Sequence, residues 1–460
     1  MTYLLGVVLF IIAGYSIITL TKISEQNLIY DIALGWFVGA GYYSLAWFVL
    51  VYALGADVTP SYSFAIIFTP LLIMIVKSRT TIKENASQSI YRMKKLSYLP
   101  TSENRFLTYT VIAYCIIVIT IVIVQGVSTP SNADDALRVR AYTPILAYGN
   151  TAGEIANSLV FQNGPWPTFT TILFWHILGD VDHFYINYTI VTSFFFFIAL
   201  LFISPVLQGE PKRGLYNVFL VLSLPLFIYH STITYADARL VYVFALGFMF
   251  FSRYVRNSDS KDLKITILFF TLACFIKDKG EILGITGLVV TGMFALYDGY
   301  RNKNRINFNV VYFLLPFVIY FVVKSFNADY ISRYFALISG AAEKLIETVL
   351  LAAPEKISNG SVRYSLGHGL LSSGNFGIIF YILIFNIIFN IKYIFHKKLI
   401  WEFLLLATIA FEIYYFIEYK FDPPEILSVI VNRVAIVLAV ISSLFLSSLW
   451  SHIKVEERKE

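Results

Sequence analysis

The sequence predicts an all-α, polytopic transmembrane helix bundle of about thirteen helices, with short interfacial helices in its external loops. Hydrophobic residues make up 58% of the 460 positions and charged residues only 14%, whereas a soluble protein carries roughly a quarter charged residues. The mean hydropathy is +0.70. Apolar stretches recur evenly along the chain, without an internal repeat or a low-complexity tract. Lipid is therefore expected to cover most of the exterior of this protein.

The apolar stretches define the predicted membrane segments, since a spanning helix needs roughly 20 mostly apolar residues. They lie near residues 3–20, 32–54, 62–76, 106–126, 185–207, 214–230, 237–252, 265–276, 282–298, 308–325, 371–391, 400–419 and 431–450. The first is interpreted as a membrane helix, because it lacks the basic start and small-residue cleavage site of a signal peptide.

Three regions follow from this pattern. Residues 1–105 form N-terminal helices and a basic loop, and residues 106–325 form a central helical core with a long loop at 127–184. Residues 326–460 form a C-terminal region that begins with a second long loop, 326–370.

The distribution of Lys and Arg predicts the orientation, because these residues accumulate in cytoplasmic loops. Loop 77–105 alone carries seven of them. If it is cytoplasmic, strict alternation places 23 of the 35 Lys and Arg on that side, although the opposite side holds both long loops. We therefore expect an external N-terminus, a cytoplasmic loop 77–105 and an external loop 127–184. The localisation expected is multi-pass in the plasma (inner) membrane.

Ionisable residues concentrate in the first predicted external loop, which contains Asp134, Asp135, Arg138, Arg140 and Tyr142. Charged side chains at a membrane boundary are costly, and each is a functional candidate by default. The alternative for the two carboxylates is structural, since a helix N-terminus stabilises Asp at its cap and first turn. One Asp suffices for a cap, which leaves the second one unexplained.

Charged residues also stand at the external ends of three later helices. Asp237 and Arg239 open the seventh segment, and Arg433 enters the last one. The segment joining the eighth and ninth helices contains Lys277, Asp278, Lys279 and Glu281. Structural alternatives are a cap at Asp237, headgroup anchoring by Arg239 and Arg433, and a plain turn between the two helices. A turn needs only residues such as Gly and Asn, so the four charges favour a functional role.

Two histidines and two carboxylates raise the question of a metal site. His176 and His183 are seven residues apart, with Asp180 and Asp182 between them, and could share a helical face. Gly179 would weaken such a helix, which favours packing of the histidines over metal binding. A divalent metal is possible but not favoured, and no other cofactor is expected. Phosphate loops, nucleophile elbows and zinc-protease motifs do not occur.

Together these fragments resemble the membrane-embedded glycosyltransferases of the GT-C fold, particularly the bacterial relatives of the dolichyl-phosphate-mannose protein mannosyltransferases. Asp135-Ala136-Leu137, followed by Tyr142 and Pro144, is similar to the Asp-Ala-Leu segment of their first external loop. Tyr235-Ala236-Asp237 matches the first part of a second family element, although Ala238-Arg239 departs from it. Lys277 to Glu281 has the charge content of a third element in a different order, and Arg433 corresponds to a late Arg.

The resemblance implies transfer of a sugar from a polyprenyl-phosphate donor to a hydroxyl acceptor on the external face. The acceptor would be a glycan or a lipid-linked molecule, with the bilayer as the other partner and no nucleic acid. A polyprenyl phosphate leaves as an anion and needs cations, which Lys277, Lys279 and Arg433, with Arg239 in second rank, can supply. Asp135 would be the general base, with Asp134 beside it. Asp237, Glu281, Arg138, Arg140 and Tyr142 would support the site.

Two other classes remain open. An O-antigen or polysaccharide polymerase or ligase would also have about a dozen helices, and would use Arg residues of loop 326–370, namely Arg333 and Arg363. A transporter of lipid-linked glycans would typically show inverted repeats and midplane charges. The Asp-Asp loop disfavours the first class, and the absence of a repeat disfavours the second.

Overall fold

The computed structural model describes residues 2–77, 105–128, 164–179, 184–233, 236–302, 308–325, 373–395, 398–420 and 424–456. Within these ranges every regular element is a helix. The first nine are α1 (Thr2–Thr21), α2 (Leu28–Leu54), α3 (Pro60–Lys77), α4 (Arg105–Ser128), α5 (Pro165–Leu178), α6 (Phe184–Leu207), α7 (Pro211–Leu222), α8 (Pro225–Ser231) and α9 (Ala236–Asn257). There follow α10 (Ser260–Cys274), α11 (Asp278–Asn302), a 3-10 helix (Phe308–Leu314), α12 (Leu315–Ser325), α13 (Ser373–Phe376), α14 (Ile379–Phe389), α15 (Ile391–Ile394), α16 (Leu399–Lys420) and α17 (Pro424–Glu456).

The chain is an all-α, multi-pass membrane protein. In the part that the structure describes, eight helices are long and apolar enough to cross a bilayer, or nine if one bent pair is a single span. Each predicted membrane segment overlaps a helix, but the count of thirteen spans is not confirmed. One reason is that some segments are interrupted: α7 and α8 meet at an angle of 82°, where Pro225 begins the second helix.

One helix was not among the predicted membrane segments. α5 lies inside the predicted external loop 127–184 and has Pro165 in its first turn, a position that proline favours. Its fourteen residues are too few for a full span, and the first twelve are buried among neighbouring helices. α5 is therefore a packed helix of the bundle, because protein covers its apolar surface. The short interfacial helices expected in the external loops stay a prediction.

Glycine allows α1 and α2 to approach each other closely. A Cβ atom at Gly39 would lie 2.0 Å from the carbonyl oxygen of Phe10, and one at Gly14 would lie 1.9 Å from that of Gly35. Gly35 and Gly39 are four residues apart and so lie on one face of α2, the spacing of close helix contacts in membranes. Any larger residue would push the two helices apart.

A second glycine face joins α10 to α11 and determines the shape of their hairpin. Gly280, Gly284 and Gly287 follow the spacing of one helical face. A Cβ at Gly280 would lie 2.2 Å from the Ala273 carbonyl oxygen, and one at Gly284 would lie 2.5 Å from that of Phe270. The turn of this hairpin, residues 275–277, is consequently held close to both helices.

A buried arginine joins several helices at the opposite end of this hairpin. Arg253 of α9 forms ion pairs of 3.1 Å with Glu25 and 3.0 Å with Asp262, and donates to Ser204 Oγ at 2.6 Å. Further contacts join Lys261 to Ser24, Arg256 to Glu210, Ser258 to Asp298 and Lys398 to the Arg256 carbonyl. These residues lie in or beside the loop after the first segment and loops 208–213, 253–264, 299–307 and 392–399, which strict alternation places on the predicted cytoplasmic side. They lie at one end of the bundle, and the compartment that this end faces stays a prediction.

Candidate functional site

The candidate site surrounds the turn between α10 and α11, which we call the hairpin tip (residues 275–281). Its backbone is fixed by α5, because the Trp166 amide donates to the Phe275 carbonyl at 3.0 Å. Gly164 makes this contact possible: its φ is +73°, and a Cβ there would lie 2.3 Å from the same carbonyl oxygen. Glycine adopts this conformation without strain. Gly164, immediately before α5, thus lies directly against the tip.

Lys277 and Asp237 form an ion pair at the tip. Lys277 Nζ lies 2.6 Å from Asp237 Oδ1. Asp237 is in the first turn of α9, and its side chain is 4% exposed, whereas that of Lys277 is 18% exposed. Two residues that the sequence singled out separately are therefore in contact. A carboxylate buried this deeply requires a partner, and Lys277 supplies a cation to Asp237 while its own side chain stays partly exposed.

Arg239 lies on the same helix as Asp237 and is buried. Its guanidinium donates to Thr189 Oγ1 of α6, so headgroup anchoring is not what this side chain does. The same region of α6 is bound by the first turn of α1. There the Tyr3 hydroxyl contacts Thr192 Oγ1 and donates to the Tyr188 carbonyl at 2.6 Å. Helices α1, α6 and α9 thus meet beside the tip through polar side chains.

Glu281 is bound by a lysine that the sequence analysis missed. Lys324, in the last turn of α12, forms an ion pair with Glu281 Oε1, and the Tyr320 hydroxyl donates to the same oxygen at 2.7 Å. Lys324 and Glu281 are 1% and 3% exposed. The sequence did mark Lys324 as unusual, because it is the one charged residue in the apolar segment 308–325. Charged residues within such segments are functional candidates.

The charged residues at and beside the hairpin tip together carry a net positive charge. Within the part of the chain that the structure describes, the cations are Arg239, Lys277, Lys279 and Lys324 and the anions are Asp237 and Glu281. With Asp278, which adjoins them in sequence, the formal net charge is +1. Lys279 is half-buried in the first turn of α11. Charges in a low-dielectric setting act more strongly than in water. The arrangement can therefore hold an anion, provided that the anion replaces a carboxylate as the partner of a cation.

Several predicted site residues cannot be located relative to this group. Asp134, Asp135, Arg138, Arg140 and Tyr142 lie outside the described residues. Arg433 belongs to α17, but its side chain is not among those described. Their convergence on the hairpin tip stays a prediction.

His176 has a packing role in α5. Its Nδ1 lies 2.6 Å from Ser63 Oγ, which lies 2.6 Å from the Tyr43 hydroxyl, so the three side chains join α5, α3 and α2. Asp180, Asp182 and His183 lie outside the described ranges. Within those ranges no group of three or more His, Cys, Asp or Glu residues could hold a metal ion.

A cavity between α4, α6 and α7 is apolar and is lined by residues such as Cys115, Phe195 and Leu215, none of which belongs to the hairpin tip. The polar group at the tip is therefore the candidate site, on the basis of its own charges and contacts. No protein-family model, curated protein or solved structure matches the chain.

Proposed function

We propose that this protein is an integral membrane glycosyltransferase. It moves a sugar from a polyprenyl-phosphate donor to a hydroxyl acceptor on the external face of the plasma membrane. The observation that carries the proposal is the ion pair of Lys277 with Asp237 at the hairpin tip, within a group of net positive charge. A lipid-linked phosphate would meet this lysine, whose side chain is partly exposed.

The phosphate chemistry suits these residues. The polyprenyl phosphate leaves as an anion, so the transition state is stabilised by fixed cations rather than by a general acid. Lys277 exchanges its carboxylate partner for the phosphate, while Lys279 and Arg239 supply charge beside it. Asp237 holds the ammonium group in place until the donor arrives, which limits the reorganisation needed when the donor binds.

The acceptor hydroxyl requires a base within hydrogen-bond reach. Asp135 has this role in the proposal, with Asp134 as an orienting partner, on the resemblance of Asp135-Ala136-Leu137 to the family segment. A single carboxylate without a second nucleophile implies direct displacement and inversion at the anomeric carbon.

Binding of undecaprenyl phosphate to the purified protein in nanodiscs tests the proposal without knowledge of the sugar. Lys277→Ala should weaken binding by about 10-fold to 100-fold, since a charge-assisted hydrogen bond contributes about 1.5–3 kcal/mol. The matched control is Lys261→Ala, which removes a lysine paired with Glu25 at the opposite end of the bundle. That control should bind undecaprenyl phosphate with the affinity of the parent.

Two results would contradict the proposal. One is a parent protein that binds undecaprenyl phosphate no better than the uncharged polyprenol. The other is a Lys277→Ala variant that retains the affinity of the parent.

A further inference from the structure

The pair formed by Glu281 and Lys324 is more deeply buried than the pair at Lys277. One carboxylate oxygen of Glu281 accepts from both Lys324 and the Tyr320 hydroxyl. The Lys324 ammonium also lies 5.3 Å from the centre of the Tyr320 ring, a cation–π distance. Three side chains from two helices are thereby fixed relative to one another.

This buried pair is connected to Lys277 through the first turn of α11. The Glu281 amide donates to the Lys277 carbonyl at 3.1 Å, so the two residues are one helical turn apart. On the other side of Lys277, the ring of Phe275 packs on Tyr320 with centroids 4.9 Å apart. Helix α12 therefore contacts the tip both before and after Lys277.

Sliding of the tip is restricted by its close packing. A Cβ at Gly280 would lie 2.2 Å from the Ala273 carbonyl oxygen, so the backbone of α11 is already in contact with the end of α10. The Gly280 contact holds the first turn of α11 from the side of α10, and the ion pair of Lys324 with Glu281 holds the same turn from the side of α12.

We propose that Lys324 is a positioning residue for Lys277. It acts through Glu281, fixing the first turn of α11 so that the Lys277 ammonium faces Asp237. On the proposed function, this is also the orientation in which Lys277 meets the donor phosphate. An apolar contact in place of the Lys324–Glu281 pair could stabilise the two helices equally well, but it would not specify a single rotation of α11. A buried ion pair with a shared acceptor specifies one, because its hydrogen bonds have a preferred direction.

The first test needs no ligand. Lys277 reactivity toward a water-soluble amine reagent is measured by peptide mass spectrometry in the parent and in Lys324→Met. Positioning predicts that the Lys277 modification rate rises about threefold or more, in line with the coupling found between contacting residues. Because Lys324→Met removes the cation beside the buried Glu281 carboxylate, which destabilises the fold, the double variant Glu281→Gln/Lys324→Met is measured as well. It removes both charges and should show the same rise.

The matched control breaks an equally buried pair at the opposite end of the bundle. Arg253→Met/Asp262→Asn removes a 3.0 Å ion pair whose side chains are 5% and 1% exposed. This variant should loosen the fold without changing Lys277 reactivity. An unchanged rate in both Lys324 variants would overturn the positioning role, and so would an equal rise in the control.

The second test uses undecaprenyl phosphate. In the parent background, Lys324→Met should weaken binding of undecaprenyl phosphate about tenfold. In a Lys277→Ala background it should weaken binding by less than about twofold, because the effects of substitutions at coupled residues are not additive. Equal losses in both backgrounds would mean that Lys324 acts independently of Lys277, and would overturn the inference. If the parent fails to bind undecaprenyl phosphate, the proposed function fails, whereas the positioning role is still decided by the Lys277 reactivity.

Discussion

Replacing Lys277 by Met is expected to destabilise the protein more than replacing Asp237 by Asn, because the two partners differ in exposure. The Asp237 side chain is 4% exposed and that of Lys277 18%. Without Lys277, the carboxylate remains buried and lacks its cation. The cost should be about 3 kcal/mol, the lower end of the range for removing one partner of a buried pair. The lower end applies because Lys277 is partly solvated.

Asp237→Asn has a smaller expected effect. The amide oxygen can still accept a hydrogen bond from Lys277, whose side chain is already partly exposed to solvent. The expected loss is about 1 kcal/mol, the net contribution of an ordinary hydrogen bond. The double variant Asp237→Asn/Lys277→Met should be more stable than Lys277→Met alone, because it no longer leaves the Asp237 carboxylate buried without this cation.

Equilibrium unfolding in mixed micelles, followed by circular dichroism, gives the free energy of unfolding for the parent and the three variants. The double-mutant cycle isolates the interaction between the two side chains, which should be about 1–2 kcal/mol. A larger loss for Asp237→Asn than for Lys277→Met would refute the argument from exposure. An interaction energy near zero would mean that the pair does not form in the membrane.

Three further outcomes are expected. An impermeant thiol reagent applied to intact cells should label a cysteine placed at Ser158 and spare one at Ser89; the reverse pattern would invert the topology. Asp135→Asn should lower the rate of sugar transfer by about 10²–10⁴ while binding of undecaprenyl phosphate survives, and full turnover would remove this residue as the base. Gly39→Ala should cost about 1–3 kcal/mol of unfolding free energy by overpacking, whereas Gly292→Ala, with nothing within 4 Å of its new Cβ, should not; equal effects would exclude close packing as the cause.

Much of the helical framework was predictable from local sequence. In a bilayer a segment must satisfy its own backbone hydrogen bonds, so an apolar run of sufficient length forms a helix whatever its neighbours are. Segments 3–20 and 106–126, for example, correspond to α1 and α4. Helix α5 was not predicted in this way, because its fourteen residues are too few for a membrane span and its burial depends on the surrounding helices.

The candidate site was only partly predictable. Charged residues at the ends of apolar segments identified Asp237, Lys277 and Glu281 as candidates, because each is costly at a membrane boundary. Their partners could not be deduced in the same way. Asp237 and Lys277 are 40 residues apart, and Glu281 and Lys324 are 43 apart, so each contact depends on two helices that local composition treats separately.

The sequence by itself therefore determined that the chain is a helical membrane protein and which ionisable residues stand at helix ends. Only the tertiary structure decided which of these residues touch. The physical reason is that contact between helices depends on their rotation and axial register. Those are determined by close packing at small residues, such as the Gly280 contact with Ala273, and a shift of one residue would turn a side chain by about 100°.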